Sequence, residues 1–321
     1  MIYNGNMDDT MFFYPPRYTI AGWSPVFSHF TIMKSIKPRF ISGLRIPAWS
    51  LRIVLFAAAM LTFHAFLAAA PPKDVKPLRD GHSHNDYWRN RPMLDALDHG
   101  FCSVEADVFL RDGVFWAGHS KAEIQLRRNL ETIYLQTLKE QIRLNGGTVY
   151  PGVETFYLWI DIKEDPEEAW AVLSPLLEKY SEILCSVTDG VKKPGPVQVL
   201  ITGNRPVRSF KAPEGKTFYA LLDVRFDDLD DPGIPAWLIG AVNENWGRIC
   251  SWKGKGEFPA DQRTELKALI DKAHGHGLPL RFWGAPQNVT FWTELRHLGV
   301  DFINTDHLTT FRNFDLQYTP E

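Results

Sequence analysis

The chain has 321 residues, 45% of them hydrophobic and 23% charged, proportions of an ordinary globular protein that exclude a disordered, collagen-like or coiled-coil chain. Three cysteines are too few for a disulfide-stapled miniprotein or a four-cysteine zinc site. The formal net charge of −3 hides an asymmetry: six basic but only two acidic residues precede residue 71, so the remainder carries −7. An acidic body argues against nucleic acid as a partner, because that role needs a basic face, but leaves room for a local pocket for one phosphate.

The first element in chain order is an address. Residues 53–70 form an apolar run broken only by Thr62 and His64, preceded by five positive charges from Lys34 onward and closed by Ala68, Ala69 and Ala70. Basic flank, apolar stretch and small-residue end make an export-signal pattern, and the length also permits an uncleaved membrane anchor. Met33, which opens the basic region, is a candidate start. The expectation is therefore a leader and signal or anchor over 1–70, membrane association through 53–70, and a single domain over 71–321 held outside the cytoplasm, periplasmic or extracellular. Cys102 sits in an apolar run and reads as packing.

From residue 76 onward, short apolar runs alternate with amphipathic stretches. Strands are expected at 78–82, 103–109, 157–162, 197–202, 218–223, 248–252, 278–283 and 301–304. Helices are expected at 92–98, 130–144, 166–180, 236–243, 260–274 and 289–298. Pro166 followed by Glu167 and Glu168 is a strong helix start, with acids at the positive end of the dipole. Eight strands separated by helices predict an α/β fold, a (β/α)₈ TIM barrel. A doubly wound open sheet is the alternative, but no GxGxxG follows an early strand.

A TIM barrel keeps its chemistry at the C-terminal ends of its strands, and polar residues recur there. The first strand ends in Gly81-His82-Ser83-His84-Asn85-Asp86-Tyr87. In the second, period two puts Glu105 and Asp107 on one face and Val104, Ala106 and Val108 on the other. The third repeats the device with Asp161 and Lys163 opposite Ile160 and Ile162. Inward carboxylates are costly to bury unpaired. Three of them suit one hard divalent cation, Mg²⁺ or Ca²⁺, held by Glu105, Asp107 and Asp161. Arg111-Asp112-Gly113 is a turn that returns the chain to His119, beside the strand carrying the carboxylates, where it would pair with His82 for general acid–base chemistry. Arg281 and Trp283 share a face near the pocket, the one suited to phosphate and the other to a sugar or apolar group. A metallohydrolase built on several histidines would need more of them on the later strands, which lack them; His274 and His276 lie at a helix end.

In order, His82, Glu105-Ala106-Asp107, His119, Asp161-Ile162-Lys163 and Asn304-Thr305-Asp306 resemble the phospholipase C-like phosphodiesterase superfamily. This superfamily includes glycerophosphodiester phosphodiesterases, bacterial phosphatidylinositol phospholipase C and spider sphingomyelinase D. The string from His82 to Tyr87 and on to Asp107 is most similar to the altered-inheritance-of-mitochondria-like group. The resemblance, over about 76–311, implies a metal-dependent phosphoric diester hydrolase acting on a small phosphodiester or phospholipid, lipid-derived or glycerol-type. It implies His82 and His119 as the acid–base pair, with Lys163 on the phosphate. Ser83 and Ser120 depart from the Arg and Asp of the glycerophosphodiesterase pattern, and Asn85 resembles the sphingomyelinase D arrangement, as a substrate-binding residue. A silent barrel that binds an anionic lipid or phosphosugar is the other reading the residues allow.

Overall fold

The computed structural model describes residues 75–124 and 128–318, so the leader expected over 1–70 lies outside the described residues. Among the described residues no helix is long and apolar enough to cross a membrane. In chain order the strands are β1 (Leu78–Ser83), β2 (Phe101–Arg111), β3 (Val114–Ala117), β4 (Phe156–Ile162), β5 (Ser186–Thr188), β6 (Val191–Lys193), β7 (Val197–Gly203), β8 (Thr217–Phe218), β9 (Ala220–Val224), β10 (Ile239–Asn245), β11 (Leu280–Trp283) and β12 (Ile303–Thr305).

Eight of these pair in the order β11-β10-β9-β7-β4-β2-β1-β12. Every pairing along that path is parallel. The two ends of the path approach through one bridge between Arg281 and Phe302. The result is the expected TIM barrel, nearly closed. β5, β6 and β8 form a separate three-stranded sheet, and β3 folds back antiparallel on the end of β2.

The strands are apolar on the outside because helices cover them there, as parallel sheets require. In β4, Phe156, Leu158, Ile160 and Ile162 are buried. The alternate set of β4 faces the interior in layers. Tyr157 packs on Phe302 at 4.8 Å between ring centroids, and above it Trp159 meets Phe302 at 5.5 Å. Register fixes which residues share a layer: Ser103 is level with Tyr157, Glu105 with Trp159, and Asp107 with Asp161. The helix Pro166–Glu178 starts on its proline with Glu167 and Glu168 in the first turn, and the helix Val289–Leu298 is capped by the Asn288 side chain, which accepts from the Phe291 amide at 3.0 Å.

Two expected elements are overturned. The helix expected at 236–243 is a single 3₁₀ turn, Ala236–Leu238, followed by β10. The strand expected at 248–252 is instead a helical turn, Trp246–Ile249, and irregular chain. Ile239-Gly240-Ala241-Val242 is a short apolar run buried on a parallel strand, and such runs have no period to separate them from a helix. Its glycine has a packing reason: a Cβ on Gly240 would come within 2.3 Å of Leu200 Cδ2. The strand expected at 218–223 is divided between β8 and β9, and the helix Leu308–Gln317 and the strands β5 and β6 were not anticipated. All three cysteines are free.

Candidate active site

The C-terminal mouth of the barrel opens into a pocket of about 330 Å³. Most of the residues singled out from sequence line it: Asn85, Glu105, Asp107, His119, Asp161, Lys163, Arg281 and Trp283. His82 does not. It pairs with Ser103, one layer below Glu105, and is fully buried. Its Nδ1 is 2.7 Å from Ser103 Oγ and its Nε2 is 2.5 Å from Arg281 Nη1. A guanidinium only donates, so Nε2 accepts and Nδ1 carries the proton. Burial, then the Arg281 charge, pushes the imidazole well below its ordinary pKa. A neutral ring with both nitrogens engaged inside the barrel is not placed to exchange protons with a ligand.

The pocket's first-strand histidine is His84. Just past the end of β1, its Nε2 lies 3.4 Å from Glu105 Oε2 and its Nδ1 2.9 Å from Asp306 Oδ1. Burial lowers its pKa, but the Glu105 charge and the Asp306 hydrogen bond together raise it. The loop that holds it turns sharply, with Asn85 in the left-handed region at φ 48°. Asp86 fixes this loop, accepting from Ser83 Oγ at 2.8 Å and the Met93 amide at 2.6 Å. The sequence offered only the order along the strand, which puts His84 two residues nearer the mouth than His82; the structure's register then sets it level with Glu105.

Asp107 is the centre of the site. One oxygen, Oδ2, accepts from Tyr87 at 2.8 Å and His119 Nδ1 at 2.9 Å, and lies 2.7 Å from Lys163 Nζ. The other, Oδ1, is buried without a hydrogen-bond partner among the described residues. Lys163 also donates to Asp161 at 2.9 Å. Burial, then the charge of Asp107, pushes the Asp161 carboxyl up to about 6 despite Lys163. Arg281, 2.9 Å from Glu105, and then His84 hold Glu105 well below the usual carboxylate range against the cost of burial. His119 is raised, chiefly by its bond to Asp107, and its Nε2 makes no hydrogen bond among the described residues.

Carboxylate oxygens of Glu105, Asp107 and Asp161 lie within 4.8 Å of one another. Two oxygens on one hard cation stand about 3–5 Å apart, so this cluster fits such an ion, and the orphaned Asp107 Oδ1 supplies the independent sign. A buried carboxylate oxygen without a partner is costly, and a cation relieves the cost. The fit extends to the backbone. Gly203, at φ +71°, lies so close under Asp161 that a Cβ there would come within 1.9 Å of Asp161 Oδ1.

Sequence reasoning missed the pocket's opposite wall. Thr202, Gly203 and Asn204 close β7, Arg225 follows β9, and Asn243 lies on β10. Asn243 accepts from Arg281 Nε at 3.1 Å and donates to Asp223 at 2.7 Å. The polar run Asn243-Glu244-Asn245 after an apolar stretch was the same signal that marked β2 and β4.

The barrel and its acidic C-terminal mouth define a TIM-barrel domain, and its family match makes it phosphodiesterase-like. Residues 71–219 match the model of the AIM6-like phosphodiesterase domain. The chain is 30% identical over 279 residues to altered inheritance of mitochondria protein 6 of Saccharomyces cerevisiae, which spans 74% of this chain and 70% of that protein. It is 28% identical over 267 residues to the homolog from Arthroderma benhamiae, covering 73% of this chain and 82% of that protein. Its fold is similar to that of a calcium-dependent phosphoinositol-specific phospholipase C from Pseudomonas sp., with a TM-score of 0.50 at 12% identity, over 74% of this chain and 94% of that one. The chain belongs to the altered inheritance of mitochondria protein 6 family.

Proposed function

We propose that the protein is a metal-dependent phosphoric diester hydrolase acting on a lipid-derived or glycerol-type phosphodiester. The observation that carries this reading is the carboxylate cluster of Glu105, Asp107 and Asp161 set between two imidazoles, each held by an aspartate: His84 by Asp306 and His119 by Asp107. The cation, Mg²⁺ or Ca²⁺, would be held by those three carboxylates and would supply charge neutralisation at the phosphoryl oxygens.

The chain's own groups do the rest. Lys163 brings a positive charge to the phosphate. His119, kept protonated by Asp107, gives its Nε2 proton to the departing alkoxide, which is otherwise a poor leaving group. His84 takes the proton of the attacking hydroxyl at Nε2, while Asp306 holds its Nδ1–H and with it the tautomer. A cation on Glu105 would offset the carboxylate charge that raises His84 and so would shift the ring toward its neutral form, the one that accepts a proton. His84 thereby replaces His82 in the pair expected from sequence. The pocket volume suits a head group rather than whole acyl chains. The proposal places this chemistry in an exported or membrane-anchored domain on the strength of residues 53–70.

The test is a panel of glycerophosphodiesters and phospholipids assayed with Mg²⁺, Ca²⁺ and chelator. Hydrolysis that one metal supports and chelator abolishes is the expected result. Undiminished hydrolysis in chelator removes the metal, and binding without any turnover makes the protein a binder of anionic lipid or phosphosugar.

A further inference from the structure

The pocket holds three strong cations, and two are already committed. Lys163 lies between Asp107 and Asp161, and Arg281 pairs with Glu105. Arg225 is in ion-pair contact with no carboxylate among the described residues. Its guanidinium lies 5.6 Å from the centroid of the Trp283 ring, and one Nη donates to the Asn243 carbonyl. These contacts hold the side chain toward β10 and β11, away from Lys163. Along the barrel β9 is separated from β4 by β7, and neighbouring strands stand about 4.8 Å apart. Arg225 therefore occupies the wall roughly 10 Å around the mouth from the strand that carries Lys163. A phosphate seated at Lys163 and the carboxylate cluster leaves Arg225 unsatisfied.

A guanidinium with no carboxylate partner, held beside a half-exposed indole, keeps donors free to receive a planar or tetrahedral anion with two parallel hydrogen bonds. We propose that Arg225 and Trp283 form a second anion subsite, which selects substrates whose head group carries a negative charge of its own, a phosphate monoester or a carboxylate, on a polyol or sugar-sized spacer. The proposal rests on the diester reading only for the position of the scissile phosphate. Arg225 is here a specificity residue. It makes a substrate with one anionic group a poorer ligand than the same substrate with two, because only the second leaves no charge in the pocket unmatched.

Calorimetric titration of the protein, with and without Ca²⁺, tests this using three probes that differ at a single carbon: glucose 1-phosphate, glucose 1,6-bisphosphate and glucuronic acid 1-phosphate. Wild type should bind the bisphosphate at least tenfold more tightly than the monophosphate, and Arg225→Gln should bring that ratio close to one. A preference shared by glucuronic acid 1-phosphate assigns the subsite to any anion; a preference for the bisphosphate alone assigns it to phosphate monoesters. A wild-type ratio near one overturns the proposal without reference to any variant. So does a ratio preserved in Arg225→Gln, or equal weakening of all three probes. Because the readout is binding, a protein that hydrolyses no diester yet shows the ratio keeps the subsite and loses the hydrolase reading, and the converse pattern does the opposite.

Discussion

His119 Nδ1 lies 2.9 Å from Asp107 Oδ2, although the two are twelve positions apart along the chain. β2 overshoots the mouth, turns at Asp112 and Gly113, and returns as β3, paired so that Ala117 stands opposite Val108. The hairpin brings an imidazole back over the carboxylate that its outgoing strand carries. An imidazole and a carboxylate of the acidic cluster are thereby tied to one another before any ligand arrives.

Each histidine has a distinct consequence for kinetics. His84→Ala and His119→Ala should each lower turnover by about 10²–10⁴-fold with far less effect on substrate binding. An activated aryl leaving group needs little protonation, so it should rescue His119→Ala and leave His84→Ala slow. Rescue of His84→Ala instead would exchange the two roles.

His82 should behave as a structural residue. His82→Gln disturbs the bonds to Ser103 and Arg281 and should lower stability by about 1–3 kcal/mol. Its turnover should stay within about tenfold of wild type, against the far larger loss in His84→Gln. Equal losses in the two variants would return His82 to the acid–base pair.

Gly203→Ala tests the carboxylate cluster without touching a carboxylate. The new methyl meets Asp161 Oδ1 and strains a backbone at φ +71°. Affinity for Mg²⁺ or Ca²⁺, measured by titration, should fall at least tenfold, as it should in Asp107→Asn. Unchanged affinity in Gly203→Ala would mean that Asp161 does not hold the ion.

Asp86 makes the loop after β1 sensitive to pH. Burial pushes its carboxyl from 3.8 up to about 6, against the bonds from Met93 and Ser83. Between those values the folded chain holds the proton more tightly than the unfolded one. Stability from this group is therefore greatest at low pH and is lost as pH rises through about 6. Denaturation of wild type and Asp86→Asn across pH 4–7 isolates the effect: wild type should lose up to about 3 kcal/mol relative to the variant. A constant difference would refute it.

The face on which a side chain lies could be read from the sequence, but its depth could not. Period two put Glu105, Asp107, Asp161 and Lys163 inside the barrel, and they are there. The same rule puts His82 inside, where it is, but says nothing of the layer. Chain direction alone puts His84 nearer the mouth than His82, but which of the two stands level with Glu105 needs the stagger between β1 and β2, whose pairing shifts register between Leu78 and His82. The far wall escaped for another reason. Assigning β10 as helix displaced the sixth strand, so Asn243 never fell at a strand end, whereas Arg225 stood two residues past the strand expected at 218–223 and was passed over. A strand buried on both faces offers no alternation, only a run whose polar ending has to be noticed.

The barrel's seam has a consequence for local opening. β11 and β12 meet through one bridge, so this is where the backbone ladder is thinnest. Arg281 stands at that bridge and reaches inward to His82 on β1 and Glu105 on β2, with Trp159 4.4 Å beneath it. One guanidinium thus bolts the seam from within, and parting the strands would drag it off Glu105 and take the floor of the pocket with it. Amide protons of β11 should accordingly exchange with solvent deuterium as slowly as those of the central strands, in spite of the single bridge on its β12 side.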